Sequence, residues 1–363
     1  MRACAEGVLL YPVYALFFAD TGLTTAEISS LFAIWSVVSF VCEIPAGALA
    51  DVWSRKRLYA LGELTTATGF ALWLIWPSYP GFALGFALWG LGGAFSSGTL
   101  ESLVYERLGD SSAYAKIIGR ADTVGLLAML AATLLAAPAF AAGGYLLVGT
   151  ISIATVTLGG LLALFLDGTH EAGDAEESGG YLVTLRSGLT EVTGSGVVAR
   201  AAVIAAAVPG FSALDEYLPL LSIIKGASAT TVPLLFAVTA LAMAAGSALA
   251  SRLSPASPRP LTVSLLLAAG FLAAGALIPQ ISGMLAVSAA FGLLQFAMVH
   301  AESRLQEQIT GTSRTTVLSV AGFGAEVFAV LLYAFFALPM PLPPLFALAA
   351  VPLLATALLT TRR

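Results

Sequence analysis

The run Glu43-Ile44-Pro45-Ala46-Gly47-Ala48-Leu49-Ala50-Asp51-Val52-Trp53-Ser54-Arg55-Lys56-Arg57 closes one apolar stretch on an acid and opens the next with three consecutive basic residues. Residues 27–50 before it and 57–76 after it are each apolar over about 20 residues, the length that crosses a bilayer core. The run is therefore a short connection between two membrane-spanning helices. Its basic cluster assigns it to the cytoplasmic side, where Lys and Arg collect in short loops.

Outward from that loop the pattern recurs. Of 363 residues, 58% are apolar and 10% charged, and mean hydropathy is +0.93, whereas a soluble domain carries about 25% charge. The apolar stretches extend from Val8 to Leu359, so one anchor cannot account for them. With 36 Gly and 17 Pro spread through continuous apolar runs, the chain reads as an all-α polytopic membrane protein rather than an outer-membrane barrel. Helices are predicted near 3–19, 27–50, 57–76, 81–105, 116–138, 143–166, 197–222, 230–252, 260–279, 282–307, 313–338 and 342–361, twelve in all. The first is read as a membrane helix and not a signal peptide, because no Ala-x-Ala cleavage pattern follows its apolar part.

The basic residues test that layout independently. Of 16 Lys and Arg, all but Lys225 fall on one face of the membrane, the arrangement expected for an even helix count with both termini cytoplasmic. One long polar break, 167–196, divides the chain into an N-terminal bundle (1–166) and a C-terminal bundle (197–363). Its first part, Asp167 to Gly180, is acidic, glycine-rich and expected to be mobile. Residues 181–192 are compatible with an interfacial helix.

The two halves echo each other. Glu101-Ser102 with Glu106 returns as Glu302-Ser303 with Glu307 at an offset of 201, and Ala48-Leu49-Ala50 returns as Ala248-Leu249-Ala250, with Gly47 and Gly246 just ahead. Two readings stand: chance identity in an Ala-rich chain, or a structural repeat, which places a site at mid-membrane between repeats that rock about it.

Several chemistries drop out. Two cysteines, Cys4 and Cys42, and two histidines, His170 and His300, cannot build a disulfide framework or a metal centre. No Gly-x-x-x-x-Gly-Lys-Ser/Thr run is present to drive transport with ATP, and no HExxH or GxSxG run supports an intramembrane enzyme. No cofactor is expected. Nor is a nucleic-acid partner, given a net charge of −5.

What remains is a set of acids within apolar stretches: Glu43, Glu63, Glu101, Asp122, Asp215, Glu216, Glu302 and Glu326. A carboxylate at bilayer depth costs several kcal/mol unless it is protonated, paired or facing water. Few basic residues lie at comparable depth, so several of these acids are expected to carry protons. Glu101 shares a helix face with Ser97 and Tyr105, and Glu302 neighbours His300 and precedes Gln306 by one turn. Such groups suit competition between a proton and a substrate; they suit structural hydrogen bonds between helices equally well. Glu43, Glu63 and Asp122, nearer the cytoplasmic ends, read first as structural partners. Asp215-Glu216-Tyr217-Leu218-Pro219 puts two acids before a proline that can break the helix. Tyr11, Tyr14, Trp35 and Trp89, with Ser97, Tyr105, Gln295 and Gln306, are candidates for lining a cavity suited to lipophilic or cationic compounds, although lipid-facing positions explain such aromatics too.

The opening loop resembles the signature loop of the major facilitator superfamily: a glycine, three residues, an aspartate, then a basic residue, a glycine and a basic cluster. Gly47, Asp51, Arg55 and Lys56 match at the family's spacing, whereas Val52 and Ser54 depart from it. The resemblance implies twelve helices in two six-helix pseudo-repeats and a transporter that works by alternating access, similar to bacterial efflux-type members. It also implies a conformational latch of Gly47, Asp51, Arg55 and Lys56, with Glu106 as acidic partner. Physically, Gly47 would allow close helix approach, Asp51 would face a helix N-terminus, and Arg55 would bridge it to another carboxylate; the basic residues alone also read as topology signals. The efflux antiporter signature of the fifth helix is only degenerate here, since four residues rather than two separate Pro138 from Gly143-Gly144.

The expectation is a monomeric secondary transporter of the bacterial cytoplasmic membrane that exchanges protons for a small amphipathic molecule. Proton-coupled uptake is the alternative, and a transport-dead sensor or an intramembrane enzyme more remote.

Overall fold

A computed structural model of the chain describes residues 1–108, 111–165, 196–252, 257–308 and 314–361. The described residues contain helices and no strand: α1 (Arg2–Glu6), α2 (Tyr14–Asp20), α3 (Thr25–Val52), α4 (Arg55–Ile75), α5 (Tyr79–Ser96), α6 (Thr99–Leu108), α7 (Ser111–Leu164), α8 (Gly196–Gly210), a 3₁₀ segment (Phe211–Tyr217), α9 (Leu218–Ile224), α10 (Val232–Ala250), α11 (Arg259–Leu277), α12 (Gly283–Gln308), α13 (Arg314–Phe336) and α14 (Leu342–Thr361). Among the described residues nine helices are long and apolar enough to cross a membrane, and each of the twelve expected spans is occupied by helix. The expected linker, with its interfacial helix at 181–192, lies outside the described residues except for Gly196.

Five spans differ from their expected form. The first is two short helices, because Gly7 leaves the helix and Pro12 has no N–H to donate. The backbone this frees is met inside the protein, where Leu10 N donates to Ser152 Oγ at 3.0 Å. The fourth breaks at Ser97-Gly98, with Gly98 at φ +64. The fifth and sixth run together as α7 and kink at Gly143-Gly144, where φ +57 and ψ −152 at Gly144 exclude a side chain. The seventh breaks at Phe211–Tyr217 and resumes with Pro219 in the first turn of α9.

The opening loop has shrunk to Trp53 and Ser54. Thr24 and Glu27 cap the start of α3 reciprocally, Glu27 N donating to Thr24 Oγ1 at 3.2 Å and Thr24 N to Glu27 Oε2 at 2.8 Å. Arg55, Lys56 and Arg57 form the first turn of α4, the end where a helix dipole disfavours cations. Helix stability is therefore not the reason for the basic cluster.

The chain divides into two compact units, Met1–Glu176 with Ala229–Leu234, and Glu177–Ser228 with Leu235–Arg363. In the first, α4 and α5 pack antiparallel on glycines: a Cβ at Gly62 would lie 2.7 Å from Gly92 O, and one at Gly69 2.5 Å from Gly85 O. Both glycine pairs are seven residues apart on each helix, so one register brings both together. Trp73 Nε1 continues it by donating to Phe82 O at 3.1 Å. Around this seam Tyr14, Phe18, Phe32, Phe70, Trp73, Phe82 and Phe86 form a fully buried aromatic core.

In the second unit α11 packs on α12 and α14, and α8 on α12 and α13. Polar pairs join its helices: Thr239 with Ser288 at 2.8 Å and Thr262 with Thr360 at 2.5 Å. Lys225, alone on its face of the membrane in the sequence layout, is buried. Its ammonium donates to Ala276 O at 2.9 Å and to Ile278 O, satisfying carbonyls at the C-terminal end of α11. Burial holds its pKa below that of a free lysine.

Outward-facing side chains are apolar, Ile75, Leu146, Leu331 and Phe165 among them. That inverted surface is stable only with lipid as the solvent.

Candidate substrate and proton sites

In the N-terminal unit, the helical repeat of α4 carries Tyr59, Glu63 and Thr66 on one face. That face borders a cavity of about 370 Å³, lined also by Arg2, Ala5 and Glu6 of α1, Tyr11, Trp89, Gly93 and Ser96 of α5, the Ser97-Gly98 break, and Val156 of α7. Glu63 is 6% exposed and accepts a hydrogen bond from the Tyr59 hydroxyl, while Glu6 and Arg2 act on it electrostatically. Arg2 Nε pairs with Asp122 Oδ1 at 3.3 Å. Tyr11 and Trp89 stack at 5.5 Å and 17°, and Trp35 lies 5.2 Å from Trp89.

The C-terminal unit gathers a second set. The 3₁₀ turn holds Asp215 and Glu216 half-buried, and both act electrostatically on the Tyr333 hydroxyl of α13, as does Glu326. Tyr217, between the acids and Pro219, stacks on Phe336 at 4.4 Å and fixes the turn. Phe211 does the same at the other end, 4.6 Å from Phe328. The break therefore has a packed frame around an acidic centre, the form in which irregular backbone is tolerated at membrane depth.

The other candidates divide. Tyr11 and Ser97 line the N-terminal cavity; Tyr14, 3% exposed in the aromatic core, does not, because five aromatic rings surround it. Trp35 and Gln295 are half-buried, and Glu43 and Glu326 are exposed. Glu302 is exposed and accepts from Gln306 Nε2 at 3.3 Å. His300 is 2% exposed, stacked on Phe296, with Nε2 3.2 Å from Ser257 O, so it ties α12 to the segment ahead of α11. Two positions apart on a helix, His300 and Glu302 point in different directions.

The side chains of Asp51, Glu101, Tyr105 and Glu106 lie outside those the structure describes. The stripe expected from Ser97 through Glu101 is interrupted, since Ser97 leaves the helix at φ −60, ψ 127. At Gly47 a Cβ would meet nothing within 4 Å, whereas at Gly246 it would strike Gly292 O. The close approach expected at Gly47 is thus found at its repeat mate. Arg55 and Lys56 are half-buried in the first turn of α4.

Sequence reading undervalued Glu63 and missed Tyr59, Thr66 and Ser96 as its company. The signal was present: Tyr59, Glu63 and Thr66 stand at i, i+4 and i+7 in an apolar helix, which puts all three on one stripe.

Broken spans, polar centres inside each unit and an apolar exterior define a multi-pass membrane transporter. The chain belongs to the major facilitator superfamily, which its sequence matches over residues 3–331. In fold it is similar to the crystal structure of the nucleoside transporter NupG (TM-score 0.75, 11% identity, covering 100% of this chain and 99% of that one). It is also similar to a bacterial homolog of the human lysosomal transporter Spinster (TM-score 0.72, 16% identity, 99% and 92%) and to a POT family peptide transporter (TM-score 0.72, 15% identity, 99% and 93%). No curated protein matches the sequence significantly. The protein is therefore a membrane-embedded transporter of a small molecule.

Proposed function

We propose that the chain is a proton-coupled exporter, exchanging protons for a small amphipathic molecule by alternating access. It acts as a monomer in the bacterial cytoplasmic membrane, with both termini cytoplasmic. The moving bodies are bundles 1–166 and 197–363, joined by 167–196. The observation that carries the reading is the broken seventh span, where Asp215 and Glu216, with Glu326, act electrostatically on the Tyr333 hydroxyl. Acids held at a helix break inside the membrane have a cost that function must justify. Glu101 and Glu302 supply the competing proton and substrate positions, Tyr11 and Trp35 aromatic surface, and Gly47, Asp51, Arg55, Lys56 and Glu106 the latch.

Everted vesicles carrying the protein test direction. With the lumen acidified, an exporter that exchanges protons accumulates its substrate; a proton symporter for uptake leaves it outside. Accumulation that persists after the gradient is collapsed with an uncoupler contradicts proton coupling in either direction.

A further inference from the structure

We propose that the cavity inside the N-terminal unit is a binding site for a small organic cation, an amine or a quaternary ammonium, with Glu63 as its counter-ion. The proposal does not rest on the transport reading, because every lining residue belongs to the N-terminal unit and none of the acids of the seventh span takes part.

Volume comes first. About 370 Å³ lies within the range of sites that enclose a small ligand, and far exceeds what a single bridging water needs. Charge comes next. Among the described residues two carboxyl groups, Glu6 and Glu63, line the cavity with one cation, the guanidinium of Arg2, which itself pairs with the carboxylate of Asp122. A cation entering the cavity is attracted by these acids; an anion is repelled by them. Shape supplies the third argument. The carboxyl of Glu63 is buried and oriented by the Tyr59 hydroxyl, and Thr66 and Ser96 stand beside it as neutral acceptors for N–H groups. The Tyr11–Trp89 stack presents an apolar wall to the carbon part of an amphipathic ammonium.

The helix seam explains why space persists here. Gly92 and Gly62 hold α4 against α5, yet at Gly93, one residue on, an added Cβ would meet nothing within 4 Å. The same glycine-rich segment thus closes one side of α5 and opens the other. Ser97-Gly98 ends α5 before it can fill the gap.

The test is isothermal titration of benzyltrimethylammonium into the full-length protein in dodecylmaltoside, a detergent that carries neither charge nor amine. Wild type should bind one equivalent saturably. Glu63→Gln should weaken that at least tenfold, and Gly93→Leu, which leaves the carboxylate in place and grows a side chain into the open space, should do the same. Thr239→Val, in the other unit, should bind as wild type does. Where Glu63→Gln fails to fold, Gly93→Leu decides alone, because a helical Gly→Leu change with room for the side chain does not threaten folding. Absence of saturable binding to wild type, or binding to Gly93→Leu at wild-type affinity, overturns the proposal. An ammonium is offered both by free solutes and by aminolipid headgroups. Competition by short-chain phosphatidylethanolamine but not phosphatidylglycerol assigns the site to the headgroup, and competition by neither to the solute. As an equilibrium measurement without a gradient, the titration succeeds or fails independently of proton coupling.

Discussion

The fourth and tenth spans carry the same Glu-Ser-x-x-x-Glu run 201 residues apart, yet one is broken and the other is a single helix. Where the fourth has Ser97-Gly98, the tenth has Met298-Val299 at the same offset. Gly98 adopts φ +64 and ends α5, while α12 continues unbroken to Gln308; a β-branched residue such as Val299 has no access to that conformation. The consequence extends beyond the motif. In the N-terminal unit the break borders a polar cavity; in the C-terminal unit polar side chains fasten helices to one another, through His300, Thr239 with Ser288, and Thr262 with Thr360. The residues ahead of a shared motif therefore decide whether its span is broken or continuous.

The largest expected effects come from glycines that the repeat pairs but the packing does not. Gly69→Leu drives a Cβ to 2.5 Å from Gly85 O, whereas its repeat mate Gly270 has nothing within 4 Å. Gly69→Leu should cost about 3 kcal/mol or abolish folding, and Gly270→Leu less than about 0.5 kcal/mol, read as thermal stability in detergent. Gly246→Leu should likewise be severe and Gly47→Leu mild in stability; equal losses within either pair would mean the two seams are alike.

Next is Lys225. Lys225→Met leaves terminal carbonyls of α11 without their donor and should destabilise by about 1–3 kcal/mol. The same residue predicts a pH slope. Its folded-state pKa is depressed, so between the folded and unfolded pKa values the unfolded chain holds the proton more tightly. This group's contribution to stability therefore rises as pH is raised through that window, and the variant should lose the rise.

Gly98→Val, which gives the fourth span the tenth span's residue, should cost about 1–3 kcal/mol because the side chain meets a left-handed backbone. The reciprocal Val299→Gly should cost about 1 kcal/mol by loosening α12. Smallest is Thr239→Val, which removes one interhelical bond worth about 0.6 kcal/mol and should leave binding and coupling intact.

Legibility followed the length scale of the signal. Apolar runs and the Lys/Arg bias delineate the spans because about 20 residues act together, and Pro219 marks the seventh break because its missing N–H is a local rule. The breaks at Gly7 and Gly98 were not legible: both are glycines among many, and only tertiary contacts such as Leu10 N on Ser152 Oγ decide which one turns. The acids of the site were legible as types. Their company was not, because Glu63 meets Arg2 and Glu6 only after α1 and α4 assemble, and Tyr14, chosen for its chemistry, is taken up by the aromatic core.

The most direct test of proton-coupled transport is purified protein in proteoliposomes with a trapped pH-sensitive dye, challenged in turn with lipophilic cations, amphipathic antibiotics, sugars and organic acids. The account predicts proton movement on addition of one amphipathic class, lost in Asp215→Asn or Glu302→Gln while the fold is retained. Substrate flux with no accompanying proton movement, or proton movement unchanged in every one of the acid variants, would contradict it.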